Sequence, residues 1–191
     1  MEQFSEVSGQ ELEWIQPKWH ESRYELKAGD RLLSVLQIRN SFIKTWQGTA
    51  TTAQADWTFE PSGFFRPRVS AQNTPGGESI AAVQMNGPLE TTGKLEFADG
   101  GKLSVKTNVW SSEFDFLTEA NESVMSLRRV DGLFGSKTLV KINGQAAASG
   151  TIEPQTLLFL VCLGHYLATI AQSSIISALI VGMIAAIVAV L

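Results

Sequence analysis

The chain has 191 residues, with 15 basic and 19 acidic side chains and a formal net charge of -4. Its hydrophobic content of 44% excludes an intrinsically disordered chain, its single cysteine excludes a disulfide scaffold, and its net acidity argues against a nucleic-acid binder. Every charged residue lies at or before Glu153, so the sequence divides into a charged body and an uncharged, mostly apolar tail over residues 154–191.

The first ten residues are polar and begin with acidic side chains. They have neither the basic region nor the apolar region of a secretory signal peptide. We therefore expect residues 1–10 to form a loose leader and the body to face the cytoplasm.

The body alternates between apolar and polar residues, as in Lys102–Lys106 and Glu113–Phe116. An alternation of period two is typical of strands with one buried face, and Asn-Gly and Asp-Gly turns separate the runs. The candidate strands are Leu12–Ile15, Ser22–Lys27, Arg31–Arg39, Phe42–Ala53, Ala55–Glu60, Gly63–Gln72, Ser79–Met85, Thr92–Phe97, Lys102–Trp110, Glu113–Glu119, Ser123–Val130 and Thr138–Ile142. The pattern predicts an all-β barrel of about 12 antiparallel strands.

The tail holds two apolar segments, Thr156–Ala171 and Ile175–Leu191, separated by Gln172-Ser173-Ser174. As a helix, residues 175–191 would span about 26 Å, which is at the short end for crossing a bilayer. Three arrangements are open: a core helix followed by a membrane anchor, a membrane hairpin that turns at the Gln-Ser-Ser interruption, or two helices buried in or against the body.

The first arrangement is favoured because a helix that is apolar on all sides must be buried on all sides, and a barrel of this size has room for one along its axis. His165 and Tyr166 would find polar partners at a barrel mouth more easily than in a bilayer. We therefore predict a barrel domain over residues 11–171 with a central helix over 156–171, followed by an extra apolar helix over 175–191.

Several ordered features resemble the tubby C-terminal-like superfamily, which includes the phospholipid scramblases and the LURP-one-related proteins. They are Tyr24-Glu25-Leu26, Gly29-Asp30, Ala50-Thr51-Thr52, Asp56-Trp57-Thr58-Phe59, Gly63-Phe64-Phe65, Leu95–Gly100 and Gly164-His165-Tyr166-Leu167. The resemblance implies a twelve-stranded barrel around a hydrophobic C-terminal helix, and a protein that associates with membranes or binds phosphoinositides. The run over 175–191 departs from that pattern, and no lipid-binding residue can be matched.

The sequence gives little indication of catalysis. Its one cysteine, Cys162, and its two histidines, His20 and His165, lack metal-ligand spacing, and no nucleophile or phosphate-loop motif is present. His165 is interpreted as a hydrogen-bonded helix residue and Cys162 as a buried, unreactive thiol. We expect no enzyme activity, no metal and no cofactor.

A set of basic residues is a hypothetical contact surface for anionic lipid: Arg66, Arg68, Arg128, Arg129, Lys137 and Lys141. The predicted membrane anchor is represented by Ile175, Leu179, Gly182, Ile187 and Leu191. Within it, small residues recur at four-residue spacing and would allow self-association: Ala178, Gly182 and Ala186.

Together these features predict a non-enzymatic, C-terminally anchored β-barrel module that faces the cytoplasm and binds a lipid or protein partner at the bilayer. Two alternatives stay open. One is a soluble ligand-binding protein or enzyme with both apolar segments buried. The other is a structural membrane protein with a helical hairpin and a β cap.

Overall fold

The computed structural model describes residues 1, 4, 11–18, 20–39, 46–63, 67–87, 91–108, 112–132, 135–143 and 152–190; of residues 131, 132, 135, 136 and 174–190 only the backbone is described. These residues form twelve strands and one long helix, α1, over Pro154–Val190. The strands are β1 (Leu12–Ile15), β2 (Arg23–Ala28), β3 (Arg31–Arg39), β4 (Gln47–Thr52), β5 (Asp56–Ser62), β6 (Arg68–Thr74), β7 (Ser79–Met85), β8 (Thr92–Phe97), β9 (Lys102–Thr107), β10 (Glu113–Leu117), β11 (Ser123–Gly132) and β12 (Gly135–Ile142).

The strands form one closed antiparallel barrel, as the alternation predicts. Each strand pairs with the next strand in the chain, and β1 pairs with β12 to close the sheet. The closing register places Trp14 opposite Thr138. A closed barrel leaves no unpaired sheet edge, so the backbone hydrogen bonds of every strand are made within the sheet.

The interior of the barrel is filled by the first half of α1, which confirms the predicted central helix. Every side chain from Leu157 to Leu167 is buried, and each strand turns its alternate apolar residues inward. The ring of Phe159 contacts three aromatic rings of the sheet, with centroid distances of 5.4 Å to Trp57, 6.1 Å to Phe59 and 6.0 Å to Phe97. Without the helix, these inward side chains would line an apolar void.

Two glycines allow the helix and the sheet to approach closely. A Cβ atom on Gly48 of β4 would lie 2.5 Å from the Tyr166 ring, and one on Gly164 of α1 would lie 2.5 Å from Leu127. Beside this contact, the Tyr166 hydroxyl donates a hydrogen bond of 2.5 Å to the carbonyl oxygen of Trp46. The predicted polar partner of Tyr166 is therefore present.

The described residues of the tail form one helix. The prediction that residues 175–191 form a second, separate helix is therefore wrong. α1 runs without a break through Gln172-Ser173-Ser174, so the hairpin with its turn at these residues is also wrong for the described backbone. Serine and glutamine are tolerated inside a helix when their polar groups find partners. The Ser173 hydroxyl donates to the carbonyl oxygen of Thr169 at 3.0 Å, and the Gln172 amide oxygen accepts from Arg129. No proline or glycine occurs here to end the helix.

The barrel has two distinct ends, which we name by the course of α1. At the helix-entry end, Pro154 and Gln155 are exposed and α1 begins. At the helix-exit end, where β11 ends and β12 begins, residues 168–173 of α1 are half-buried as the helix leaves the sheet.

The largest differences from the predicted boundaries lie at loops. The predicted strand over Phe42–Ala53 corresponds to β4, which begins at Gln47, and residues 42–45 lie outside the described residues. Strand β12 begins at Gly135 rather than Thr138 because its pairing with β11 extends to the Gly132–Gly135 pair. Within the predicted leader the structure describes Met1 and Phe4, and Phe4 is buried in the core cluster.

Candidate functional site

A cavity of about 190 Å³ opens at the helix-exit end, between α1 and the barrel wall. We call it the mouth cavity. It is lined by Trp14, Gln16, Tyr24, Ser112, Phe114, Leu127, Arg129, Thr138, His165, Ala168, Thr169, Gln172 and Ser173. These described lining residues include one arginine and no carboxylate.

His165 is the central polar residue of the mouth cavity. Its side chain is buried, and neither ring nitrogen has a hydrogen-bond partner within the described residues. The ring stacks on Trp14 with a centroid distance of 4.6 Å and an interplanar angle of 7°, and it meets the edge of Tyr24 at 4.8 Å. The interpretation of His165 as a hydrogen-bonded helix residue is therefore wrong, because aromatic rings pack against the imidazole and neither of its nitrogens has a partner within the described residues.

Burial, together with the smaller effect of the nearby positive charge of Arg129, lowers the pKa of His165 to about 3. The imidazole is therefore neutral at physiological pH, with one N–H donor and one nitrogen acceptor. A buried donor or acceptor without a partner costs free energy, and this cost is removed when a ligand or ordered water pairs with it.

Trp14 adds a second group without a partner. Its indole Nε1–H is buried and has no acceptor within the described residues. Arg129 lies on the same side of the cavity, where its guanidinium donates to the Gln172 side chain. The residues that line the mouth cavity thus include an indole donor, a neutral imidazole and a guanidinium.

Four of the predicted basic residues lie toward the helix-exit end: Arg68, Arg128, Arg129 and Lys137. Arg68 begins β6, and Lys137 pairs with Glu13 at 2.9 Å near the start of β12. Arg128 pairs with Glu113 at 3.5 Å on the exposed face. Arg66 lies outside the described residues.

Lys141 lies away from these residues. It is exposed near the end of β12, which is the helix-entry side of the barrel. Four residues of strand separate it from Lys137 by about 13 Å. The five described residues of the predicted set therefore do not form one surface.

The described loops at the helix-entry end are uniformly acidic. Their charged residues are Asp30, Glu78, Asp99, Glu119, Glu122 and Glu153, with no lysine or arginine among the described loop residues there. Basic residues occupy strand positions toward both ends: Arg23, Arg39, Arg68 and Arg129 lie toward the helix-exit end, and Lys27, Arg31, Lys102 and Lys141 lie toward the helix-entry end. The charge feature that distinguishes the helix-entry end is therefore the acidic character of its described loops.

A second cleft, of about 360 Å³, lies at the helix-entry end beside Phe159 and is bordered by Glu78, Asp99 and Glu153. Among the described residues, no group of three or more histidine, cysteine, aspartate or glutamate side chains is placed to hold a metal ion.

Cys162 is buried at 3.4 Å from the Ser34 hydroxyl, and burial raises the pKa of its thiol to about 12.

The predicted anchor residues Ile175, Leu179, Gly182 and Ile187 lie on the α1 backbone, as do Ala178 and Ala186, and Leu191 lies outside the described residues. Within the described residues, one stretch, Pro154–Ser173, is long and apolar enough to cross a membrane by length and composition. Most of that stretch is buried inside the barrel, so its apolar character already has a structural role.

No family model, curated protein or solved structure matches the chain. The resemblance to the tubby C-terminal-like superfamily therefore stays a prediction.

Proposed function

We propose that the protein is a non-enzymatic, membrane-associated β-barrel module. In this proposal the second half of α1 lies in the bilayer, the helix-exit end faces the lipid headgroups from the cytoplasmic side, and a lipid or protein partner binds there. The observation that carries the proposal is the unbroken course of α1 from the barrel core to Val190.

The length of α1 supports this arrangement. Its 37 residues extend for about 55 Å, whereas the longest strand, β11, has 10 residues and spans at most about 33 Å. Strand tilt shortens the barrel axis further. A straight helix that fills the barrel must therefore project well beyond it.

The sequence of the projecting part requires an apolar environment. Residues 175–191 contain no charged side chain, and Ser177 is their one polar residue. A helix that is apolar on all sides is stable in a bilayer or against an apolar partner, but not in water. The barrel interior is already filled by residues 157–167.

The acidic loops of the helix-entry end favour the same orientation. Anionic headgroups of the cytoplasmic leaflet attract basic residues near the surface and repel acidic ones. With α1 inserted, the basic positions Arg68, Arg128, Arg129 and Lys137 are on the membrane side, and the acidic loops of the helix-entry end point away from it. Close packing through Ala178, Gly182 and Ala186 would allow two anchors to associate.

A soluble ligand-binding protein is the second candidate. It is favoured by the mouth cavity, where Trp14 Nε1 and both His165 nitrogens have no partner within the described residues, and by the burial of most of the stretch Pro154–Ser173 within the barrel. In this alternative the projecting helix would be covered by protein rather than lipid.

Alkaline carbonate extraction separates the two candidates. The full chain is compared with a truncation that ends at Ser174, which keeps every residue of the mouth cavity, and with Gly182→Arg in the full chain. We expect the full chain to stay in the membrane pellet and the truncation to be soluble with β-type circular dichroism. The Gly182→Arg variant should be retained less than the full chain, because a charge at the centre of a membrane helix costs about 3 kcal/mol. Full extraction of the intact chain would reject the anchor.

Vesicle co-sedimentation of the truncation tests the orientation. Arg68→Gln should weaken binding to anionic vesicles, and Lys141→Gln, at the opposite end, is the matched control. Equal effects of the two substitutions would reject the proposed membrane-facing surface.

A further inference from the structure

Part of the polar lining of the mouth cavity makes no hydrogen bond within the described residues. Trp14, 1% exposed, and His165, 5% exposed, together leave three nitrogen atoms without partners within the described residues. Trp14 is fixed in β1 by the closing pair with β12, and His165 is fixed by the packing of α1. Their stacked rings form part of one wall of the cavity, and the three unpaired nitrogens belong to that wall.

The unpaired groups define the chemistry of that occupant. The indole N–H and the imidazole N–H each require an acceptor, and the second imidazole nitrogen requires a donor. Two acceptor oxygens on one small group would pair with the two donors. Polar side chains around them, including Ser112 and Thr138, offer further hydrogen bonds or hold a bridging water.

The charge of the lining defines the sign and size of the occupant's charge. Arg129 is the one charged side chain among the described lining residues, and its positive charge is felt at His165. A guanidinium matches the two oxygens of a carboxylate in a planar, bidentate arrangement. One cation favours a singly charged anion over a phosphate dianion, which would be left with uncompensated charge in a largely buried site.

We propose that the mouth cavity binds the carboxylate of a small organic acid, either free in solution or as the head of a fatty acid in the adjacent bilayer. The cavity volume of about 190 Å³ suits a carboxylate with a short chain inside it. In the fatty-acid case the chain would continue from the mouth along the projecting part of α1. Only this second source rests on the proposed membrane anchor.

Two probes with the same reporter distinguish the sources: butyrate and oleate, each carrying ¹³C at the carboxyl carbon. Butyrate is titrated into the full chain in non-ionic detergent at pH 8. Oleate is presented in phosphatidylcholine vesicles that carry the full chain. We expect a saturable shift or broadening of the carboxyl resonance of butyrate. Butyramide that carries ¹³C at its carbonyl carbon should show no such change. Inorganic phosphate should compete with labelled butyrate more weakly than unlabelled butyrate does.

Substitutions locate the binding. Arg129→Gln and His165→Phe should each weaken butyrate binding about tenfold or more, since each removes charge-assisted or buried hydrogen bonds. Arg128→Gln is the matched control, because Arg128 is the neighbouring residue on β11 and is exposed on the outer face; it should change affinity less than about twofold. Circular dichroism of each variant verifies that the barrel is folded.

The outcomes are separable. Butyrate binding that depends on Arg129 and His165 supports the site, and oleate binding in vesicles with the same dependence supports the membrane source. Failure of the full chain to float with vesicles, together with normal butyrate binding, would reject the membrane proposal and leave the site intact. No carboxyl response to either probe, or a response that Arg128→Gln weakens as much as Arg129→Gln, would overturn the inference and leave a cavity filled by water.

Discussion

The buried neutral imidazole of His165 should make the stability of the barrel depend on pH. In the unfolded chain this side chain has its ordinary pKa of 6.5, and in the fold burial lowers the pKa to about 3. Because the folded pKa is the lower one, the unfolded state binds the proton first as the pH falls. The stability contributed by the neutral ring is therefore complete above pH 6.5 and is lost as the pH falls from 6.5 toward 3.

The size of the effect follows from these two values. Between pH 7.5 and pH 5, protonation of the unfolded chain favours unfolding by about 2 kcal/mol, while the folded state gains almost no protons at this site. In a domain of this size, a change of this magnitude lowers the melting temperature by several degrees.

The assay is thermal unfolding of the full chain in non-ionic detergent, followed by near-ultraviolet circular dichroism from pH 5 to 8. Buffers without carboxylates are required, because acetate carries the group that we propose binds in the mouth cavity. His165→Phe keeps an aromatic ring against Trp14 and removes the titrating group, so its stability should vary less with pH, by about 2 kcal/mol over this range. Equal slopes for wild type and His165→Phe would refute the reasoning.

Three further predictions concern the contact between α1 and the sheet. Gly48→Ala should lower the free energy of unfolding by about 1–3 kcal/mol, because its Cβ would lie 2.5 Å from the Tyr166 ring. Urea titration measures this loss. Combining the substitution with Tyr166→Leu should recover part of it. Gly164→Ala should destabilise by a similar amount through Leu127, although alanine is the better helix former, and a stabilised variant would contradict the close approach. Cys162 should react with iodoacetamide at pH 8 only after unfolding, because the thiol is buried and burial raises its pKa to about 12. Mass spectrometry measures the labelling. Rapid labelling of the folded chain would contradict this prediction.

Much of the fold can be predicted from the sequence because local rules determine it. Alternation in runs such as Lys102–Lys106 places apolar residues on one face, and the turn residues between runs leave antiparallel pairing as the natural connection. The central helix follows from the need to bury Leu157–Leu167 on every side. Each of these steps depends on neighbouring residues only.

The continuity of α1 was harder to predict. Gln172-Ser173-Ser174 carries the polar character of an interruption, but whether it ends a helix depends on the partners of these side chains. Arg129, on a distant strand, contacts Gln172, and Thr169 accepts from Ser173. The first of these contacts exists only after the barrel has closed.

The mouth cavity, like the continuity of α1, depends on contacts between residues that are far apart in the sequence. Trp14, Tyr24, Arg129 and His165 are widely separated in the sequence, and they meet because β1 pairs with β12 and α1 enters the barrel in a particular register. No spacing rule signals such a site. The available signal was a histidine within an apolar helix, and a hydrogen-bonded interpretation of that residue left the cavity unnoticed.

The course of α1 places the polar groups of the mouth cavity at the boundary between two environments. Up to Leu167 the helix is surrounded by the barrel, and beyond Ser174 its sequence requires an apolar surrounding. The turns between these parts carry Thr169, Gln172 and Ser173, the polar residues that line the cavity. A site placed there is reached from the rim of the barrel and, if α1 is anchored, from the headgroup layer as well. The helix that fills the core would then also set the depth of the site relative to the membrane. Because the helix is continuous, inserting residues after Ser174 would leave the cavity intact and change that depth, whereas inserting them before His165 would disrupt both the core and the cavity.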